Sequence, residues 1–201
     1  MTNSSTHTQQ DLIIAGVGGQ GILTISGVIG MAALEQGLHI KQSEVHGMAQ
    51  RGGAVVSHVR LSSRPIASDL VPRGAASLLL AMEPMEILRY LAYASPEAVL
   101  VCANRPVKNQ SNYPDIEAVL ARIRGWPRQR IVDAEALARE AGSPRMANSV
   151  MLGAASAFLV LAPEALRAGL ARWFERKGSE VVEKNLAAFD RGRAAAQASG
   201  A

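Results

Sequence analysis

The sequence predicts an α/β domain with a Rossmann-like, mostly parallel sheet, flanking helices and a C-terminal helical segment. Three observations carry this prediction. Short apolar runs alternate with stretches of helical spacing, the pattern of repeated strand–helix units. The first apolar run is broken by a glycine-rich turn and followed at once by an apolar helical stretch. Hydrophobic residues make up 48% and charged residues 19% of the 201, enough to bury a core in one large domain.

The elements follow in order. Leu12–Ala15 is short, continuous and apolar, as a strand buried on both faces requires. Gly16–Gly21 breaks it. Ile22–Gln36 then carries Ile22, Ile25, Ile29 and Ala33 at helical spacing, with Gly37 as the C-terminal stop. His39–Gln42 reads as a second strand, Val45–Gly53 as a polar loop, and Ala54–Leu61 as a β-branched strand. Pro65–Gly74 is a loop and Leu78–Ala81 a buried strand. Glu83-Pro84 opens a helix expected to reach about Ala94, and Ala98–Cys102 is the next strand. Asp115–Arg124 is a helix, Arg130–Val132 a short strand, and Asp133 caps a helix to Ala141. From Met146 onward the pattern is helical: Asn148–Leu161, Pro163–Arg176, and Ser179 to about Ala196. The expected organisation is a disordered arm at 1–10, the Rossmann-like domain at 11–162, and a helical appendix of the same domain at 163–201.

Composition narrows the function classes. Aromatic residues are only 4%, so a single-strand nucleic-acid site built on stacking platforms is not expected. The net charge of +4 is spread without a Lys/Arg block, which suits acidic ligands and gives no nucleic-acid footprint. The one cysteine, Cys102, sits in an apolar run and reads as a buried small residue rather than a nucleophile. One thiol cannot hold an iron–sulfur cluster, which normally needs several. The Ser/Thr/Gln-rich start lacks the pattern of a signal peptide, and no apolar run is long enough to span a membrane. The expectation is a cytoplasmic protein with no membrane partner.

Two motifs bear chemistry. Gly16, Gly18 and Gly21 match G-x-G-x-x-G, with Gly19 as an extra glycine and Gln20 inside the turn. Glycines there let backbone N–H groups approach an anion at the start of the helix. The plain alternative is a close-packed turn that binds nothing. A nicotinamide dinucleotide would also need an acid at the end of the second strand. Glu44 stands roughly there, but Lys41 and Gln42 occupy the end of the apolar run itself. The second motif is Glu44–Gly53. His46 suits proton transfer, Arg51 suits recognition of a carboxylate or phosphate, Gly52 and Gly53 permit close backbone approach, and Gln50 belongs to the same exposed stretch, expected to face the cleft or a partner. Its plain alternative is a loop whose Arg51 pairs with Glu44 or Asp69. Asn148 could cap the helix that begins there, while Gly153–Ala157 form a thin face suited to close packing.

Gly16–Ile22 (GVGGQGI), Ser43–Gly53 (SEVHGMAQRGG), Val59–Ser62 and Asn148–Gly153 (NSVMLG) occur in that order. Together they resemble the gamma-type domain of 2-oxoacid:ferredoxin oxidoreductases. The form carrying His46–Gln50 looks most like the beta subunit of the indolepyruvate ferredoxin oxidoreductases. The resemblance implies oxidative decarboxylation of a 2-oxoacid to an acyl-CoA, with electrons passed to ferredoxin. It implies thiamine diphosphate, magnesium and iron–sulfur clusters in a large partner subunit, and none held by this chain alone. Coenzyme A at a shared cleft, and Asn148 facing that cleft, rest on the resemblance. The competing readings are a stand-alone nucleotide-binding oxidoreductase and a non-catalytic interaction module. Without its partner, such a chain is expected to self-associate as a homodimer.

Overall fold

The computed structural model describes residues 7–46, 52–108 and 112–198. The elements are β1 (Gln9–Val17), α1 (Ile22–Glu35), β2 (His39–His46), β3 (Ala54–Ser62), β4 (Ala76–Ala81), α2 (Pro84–Arg89), β5 (Ala94–Ala103), α3 (Ile116–Arg124), β6 (Gln129–Val132), α4 (Ala134–Glu140), α5 (Ala147–Ser156), α6 (Pro163–Phe174) and α7 (Ser179–Ala198). They build one six-stranded sheet in the order β2-β3-β1-β4-β5-β6. β1, β4, β5 and β6 pair in parallel, while β3 is antiparallel to both β1 and β2. A single reversed strand therefore stands inside an otherwise parallel sheet.

Alternation along the strands explains the apolar runs. Leu12, Ile14, Leu78, Leu80, Val99 and Val101 point into one core with α1, α5, α6 and α7. Ile13, Leu79, Ala81, Leu100 and Cys102 point into the other, with Ile87 of α2 and Val119, Leu120 and Ile123 of α3. Both faces are covered, so the apolar runs of β1, β4 and β5 have no polar side. Helix α3 starts where Asp115 accepts from the Glu117 N–H, and α4 where Asp133 accepts from the Ala136 N–H.

Several boundaries differ from the sequence reading, each for a physical reason. β1 begins at Gln9, so Gln9 and Gln10 lie in the sheet and not in an arm. Gln10 is buried because its carboxamide is satisfied on both sides: it donates to the Phe158 carbonyl (2.8 Å) and accepts from the Val160 N–H (2.9 Å). The helix opened by Pro84 stops at Arg89, and Ala94 already belongs to β5. Met146, not Asn148, is the N-cap of α5, which ends at Ser156. The C-terminal helices belong to the first core: Leu166, Leu170, Ala188 and Phe189 are buried in it. α5 and α7 meet backbone to backbone, since a Cβ added to Gly153 would stand 1.9 Å from the Phe189 carbonyl oxygen.

Polar anchors hold the segment between β3 and β4 against the sheet. Arg60 of β3 donates to Asp11 of β1 at 2.8 Å and to the carbonyls of Ser68 and Leu70. His58 accepts at Nδ1 from the Val71 N–H (3.2 Å) and meets Tyr93 edge to face. Burial lowers the His58 pKa, with Asp69 opposing in part. A depressed histidine is neutral in the fold while the unfolded chain takes up the proton. Stability is therefore expected to fall as pH drops below the ordinary imidazole value of about 6.5. Urea melts across that range should show the loss, and H58Q, which keeps an acceptor for Val71, should flatten it. An identical slope in H58Q would remove His58 as the cause.

Candidate functional site at the carboxyl edge of the sheet

The reversed strand decides what meets at the end of β1. Val17 lies opposite Ala54, so the glycine turn after β1 and the Gly52-Gly53 segment before β3 emerge side by side. The Gly18 N–H donates to the Gly53 carbonyl at 2.9 Å and ties them together. Met82 and Glu83 follow β4 at the same edge, and the N-termini of α1 and α5 open onto it.

Gly16, Gly19 and Gly21 stand in different surroundings. A Cβ on Gly16 would stand 2.7 Å from the end of Ile22, 2.8 Å from Gln20 Oε1 and 3.1 Å from Met82 Cβ. Gly19, at φ 100°, faces open space, and Gly21, at φ 80°, is the left-handed N-cap of α1. Above Gly21 lies the Asn148 carboxamide, with Nδ2 only 2.6 Å from where a Cβ would be. Asn148 Oδ1 accepts from the Ser149 N–H, which leaves the amide nitrogen over the start of α1. Neither α1 nor α5 has a side-chain cap or an acid in its first turn. The first N–H groups of a helix lack intrahelical partners, and both dipoles place their positive ends here. The two helix starts thus converge, through Gly21 and Asn148, on a point that favours an anion.

Gln20 has a different role from the one its place in the motif suggests. Its Oε1 accepts from the Val17 N–H (2.7 Å) and its Nε2 donates to the Met82 carbonyl (3.1 Å). The side chain latches the ends of β1 and β4 and is turned inward. Gln20→Ala leaves two backbone groups without partners, so a loss of about 2 kcal/mol is expected in urea unfolding. An unchanged midpoint would show that water replaces the latch.

Glu44 is not beside the turn. It lies on β2, separated from β1 by β3, hence about 10 Å across the sheet. Its carboxylate accepts from Ser26 of α1 (3.2 Å) and from Gln42. The Gly18 amide, which a pyrophosphate would need, is bonded to Gly53. This geometry does not suit a dinucleotide. The side chain of His46, and all of Gln50 and Arg51, lie outside the described residues.

Sequence reasoning missed most of the lining of the cleft beside Gly52 and Gly53. It measures about 460 Å³ and is lined also by Glu83, Glu86, Arg89, Val107 and Tyr113. Glu83 is buried and accepts from the Glu86 N–H (3.1 Å), the Val107 N–H (3.3 Å) and the Tyr113 hydroxyl. Burial and the adjacent Glu83 raise the Tyr113 pKa, so its hydroxyl stays protonated and donating. Burial also raises Glu86, with Arg89 opposing. Glu83-Pro84 was legible as a helix start, but nothing in the sequence links it to Tyr113. Cys102 is fully buried, donates to the Ala103 carbonyl, and has its thiol pKa pushed up by burial, which makes it inert. Among the described residues, no group of three His, Cys, Asp or Glu is placed to hold a metal ion. No helix among them is long and apolar enough to cross a membrane.

Fold and edge together define a class: a Rossmann-like α/β domain whose strand-end cradle is made mainly of glycine backbone and two helix starts. The chain belongs to the pyruvate ferredoxin/flavodoxin oxidoreductase family, which it matches over residues 11–195. It is 33% identical over 195 residues to the indolepyruvate oxidoreductase subunit IorB of Archaeoglobus fulgidus, covering 90% of this chain and 92% of that protein. It is 31% identical over 193 residues to the 2-oxoglutarate synthase subunit KorC of Methanothermobacter thermautotrophicus, covering 93% and 95%. Among solved structures, a keto/oxoacid ferredoxin oxidoreductase gamma subunit from Geobacter sulfurreducens superposes with a TM-score of 0.69 at 27% identity, over 94% of this chain and 99% of that one. A 2-oxoglutarate:ferredoxin oxidoreductase from Magnetococcus marinus, solved with 2-oxoglutarate, coenzyme A and succinyl-CoA bound, gives a TM-score of 0.76 at 25% identity. That match takes in 94% of this chain but only 31% of the longer Magnetococcus chain.

Proposed function

We propose that this chain is the gamma-type subunit of a 2-oxoacid:ferredoxin oxidoreductase, with indolepyruvate or another aryl pyruvate as substrate. The observation that carries this reading is the near-full-length likeness to IorB, which exceeds the likeness to KorC in identity over a similar span. The reaction is oxidative decarboxylation to an acyl-CoA, with electrons leaving to ferredoxin.

Thiamine diphosphate, magnesium and the iron–sulfur clusters belong to the large partner subunit. The residues of this chain do not fit a cluster, because Cys102 is the one cysteine and is sealed in the core. They do fit an anionic group. The amides at the start of α1, the Asn148 amide nitrogen and the open side of Gly19 would hold a phosphate of coenzyme A or the carboxylate of the substrate. The work of this chain is then to bind and orient that anion and to close one side of a shared cleft. His46, Gln50 and Arg51 are assigned to recognition of substrate or partner on the strength of their chemistry and sequence position alone. The setting is the cytoplasm.

The test is reconstitution of this chain with the large subunit that co-purifies with it. Turnover of indolepyruvate, dependent on coenzyme A and ferredoxin, is expected from the pair and not from either chain alone. N148A is expected to raise KM for coenzyme A more than it lowers kcat. Activity of the isolated chain, or its tight binding of NAD(H) or NADP(H), would overturn the assignment.

A further inference from the structure

The outer face of the α1–α6 pair carries apolar surface that the described chain leaves uncovered. Leu34, near the end of α1, is 66% exposed, and Trp173 of α6 is 41% exposed. The helices run antiparallel: Trp173 lies on Gly27, and Gly169 lies against Val28 and Met31. Between them runs a groove of about 680 Å³ lined by Met31, Leu34, Glu35, Ala168, Gly169 and Arg172. Its floor is thin because Gly169 has no side chain and Ala168 only a methyl group.

Opposite charges stand on this groove. Glu35 and Arg172 are both exposed, and among the described residues neither side chain has an ion pair or hydrogen bond. The face therefore combines a projecting leucine, a thin-floored groove, and one anion and one cation that no described residue pairs.

We propose that this face binds the same face of a second copy of the chain. A two-fold contact presents one patch to itself, so residue i meets residue j twice. Glu35 of each copy then meets Arg172 of the other, and Leu34 of each enters the groove of the other. A patch with both signs of charge around an apolar centre is complementary to itself, whereas a partner of one charge would satisfy half of it. The contact also leaves the candidate site free. Leu34 lies about 20 Å along α1 from Gly21, at the opposite edge of the sheet. Two copies can pair here while each offers its glycine turn to a large subunit.

The experiment is sedimentation equilibrium of the full-length chain at micromolar concentration, with circular dichroism and thermal melts as controls on folding. The wild-type chain is expected to be a dimer. E35R and R172E, each placing like charges opposite one another twice, should each weaken the dimer about tenfold or more. The double reversal E35R/R172E should restore it. L34E should be a folded monomer. A monomeric wild-type chain overturns the proposal. So does a dimer indifferent to these substitutions, or a double reversal that is no tighter than the single ones.

Discussion

Alanine at Gly192 or Gly153 is expected to cost this protein much of its stability. The added Cβ would stand 1.9 Å from a backbone carbonyl oxygen, that of Val150 in one case and Phe189 in the other. Nothing flexible can move aside, because both obstacles are helix backbone. The two helices must part, and Val150, Ala154, Ala188 and Phe189, all buried at 0% exposure, lose their packing. A loss of about 3 kcal/mol or more, the upper part of the overpacking range, is expected. Domains of this kind have only about 5–15 kcal/mol in total. Urea unfolding of G192A and G153A gives the measurement, with G30A as control. The Gly30 Cβ would meet only the terminal methyl of Ile40, at 3.3 Å, and alanine is the better helix former there. If G192A and G30A unfold at the same midpoint, the tight contact does not hold in solution.

The second large effect lies in the Arg60–Asp11 pair. Both side chains are mostly out of water, at 15% and 6% exposure. Gln9 adds a bond to Asp11 at 3.3 Å, and Arg60 also serves two loop carbonyls. R60L would strand the Asp11 carboxylate where β1 lies beside β3 and release the segment that Arg60 anchors. Removing one member of a buried pair costs about 3–5 kcal/mol, and the exposure of Arg60 puts this case near the lower figure. R60L/D11L removes the stranded charge and should recover most of the loss. The comparison separates the cost of an unpaired charge from the worth of the pair. A double variant as unstable as R60L would show that the anchored loop, not the charge, dominates.

Much of the fold was legible because of burial on two sides. Leu12–Ala15, Leu78–Ala81 and Ala98–Cys102 read as strands since both faces of each are covered, which erases any polar alternation. The caps at Asp115 and Asp133 are local chemistry and were equally plain. The direction of β3 was less plain, although a signal existed. The short 47–53 link cannot cross over a sheet, and a parallel neighbour needs a dozen residues or more. The candidate site divides in the same way. Gly16–Gly21 announced itself, and Asn148 was noted from a resemblance. Yet the inward turn of Gln20, the distance of Glu44 and the bond from Tyr113 to Glu83 arise from elements far apart in sequence. Only the packed sheet defines them.

The Phe158 corner, where Gln10 reaches across to the Phe158 and Val160 backbone, also has a bearing on how this fold can be spliced into larger proteins. Arg130 lies over the Phe158 ring, 5.5 Å from its centre, and donates to the Ala196 carbonyl near the end of α7. The first strand and the last helix therefore reach the same corner, at the amino edge of the sheet. A segment joined ahead of Gln9 or beyond Ala198 departs from the side opposite the glycine turn. The Magnetococcus structure carries a matching fold within a chain about three times as long. An affinity tag or a tethered redox partner can be attached at either end for the same reason.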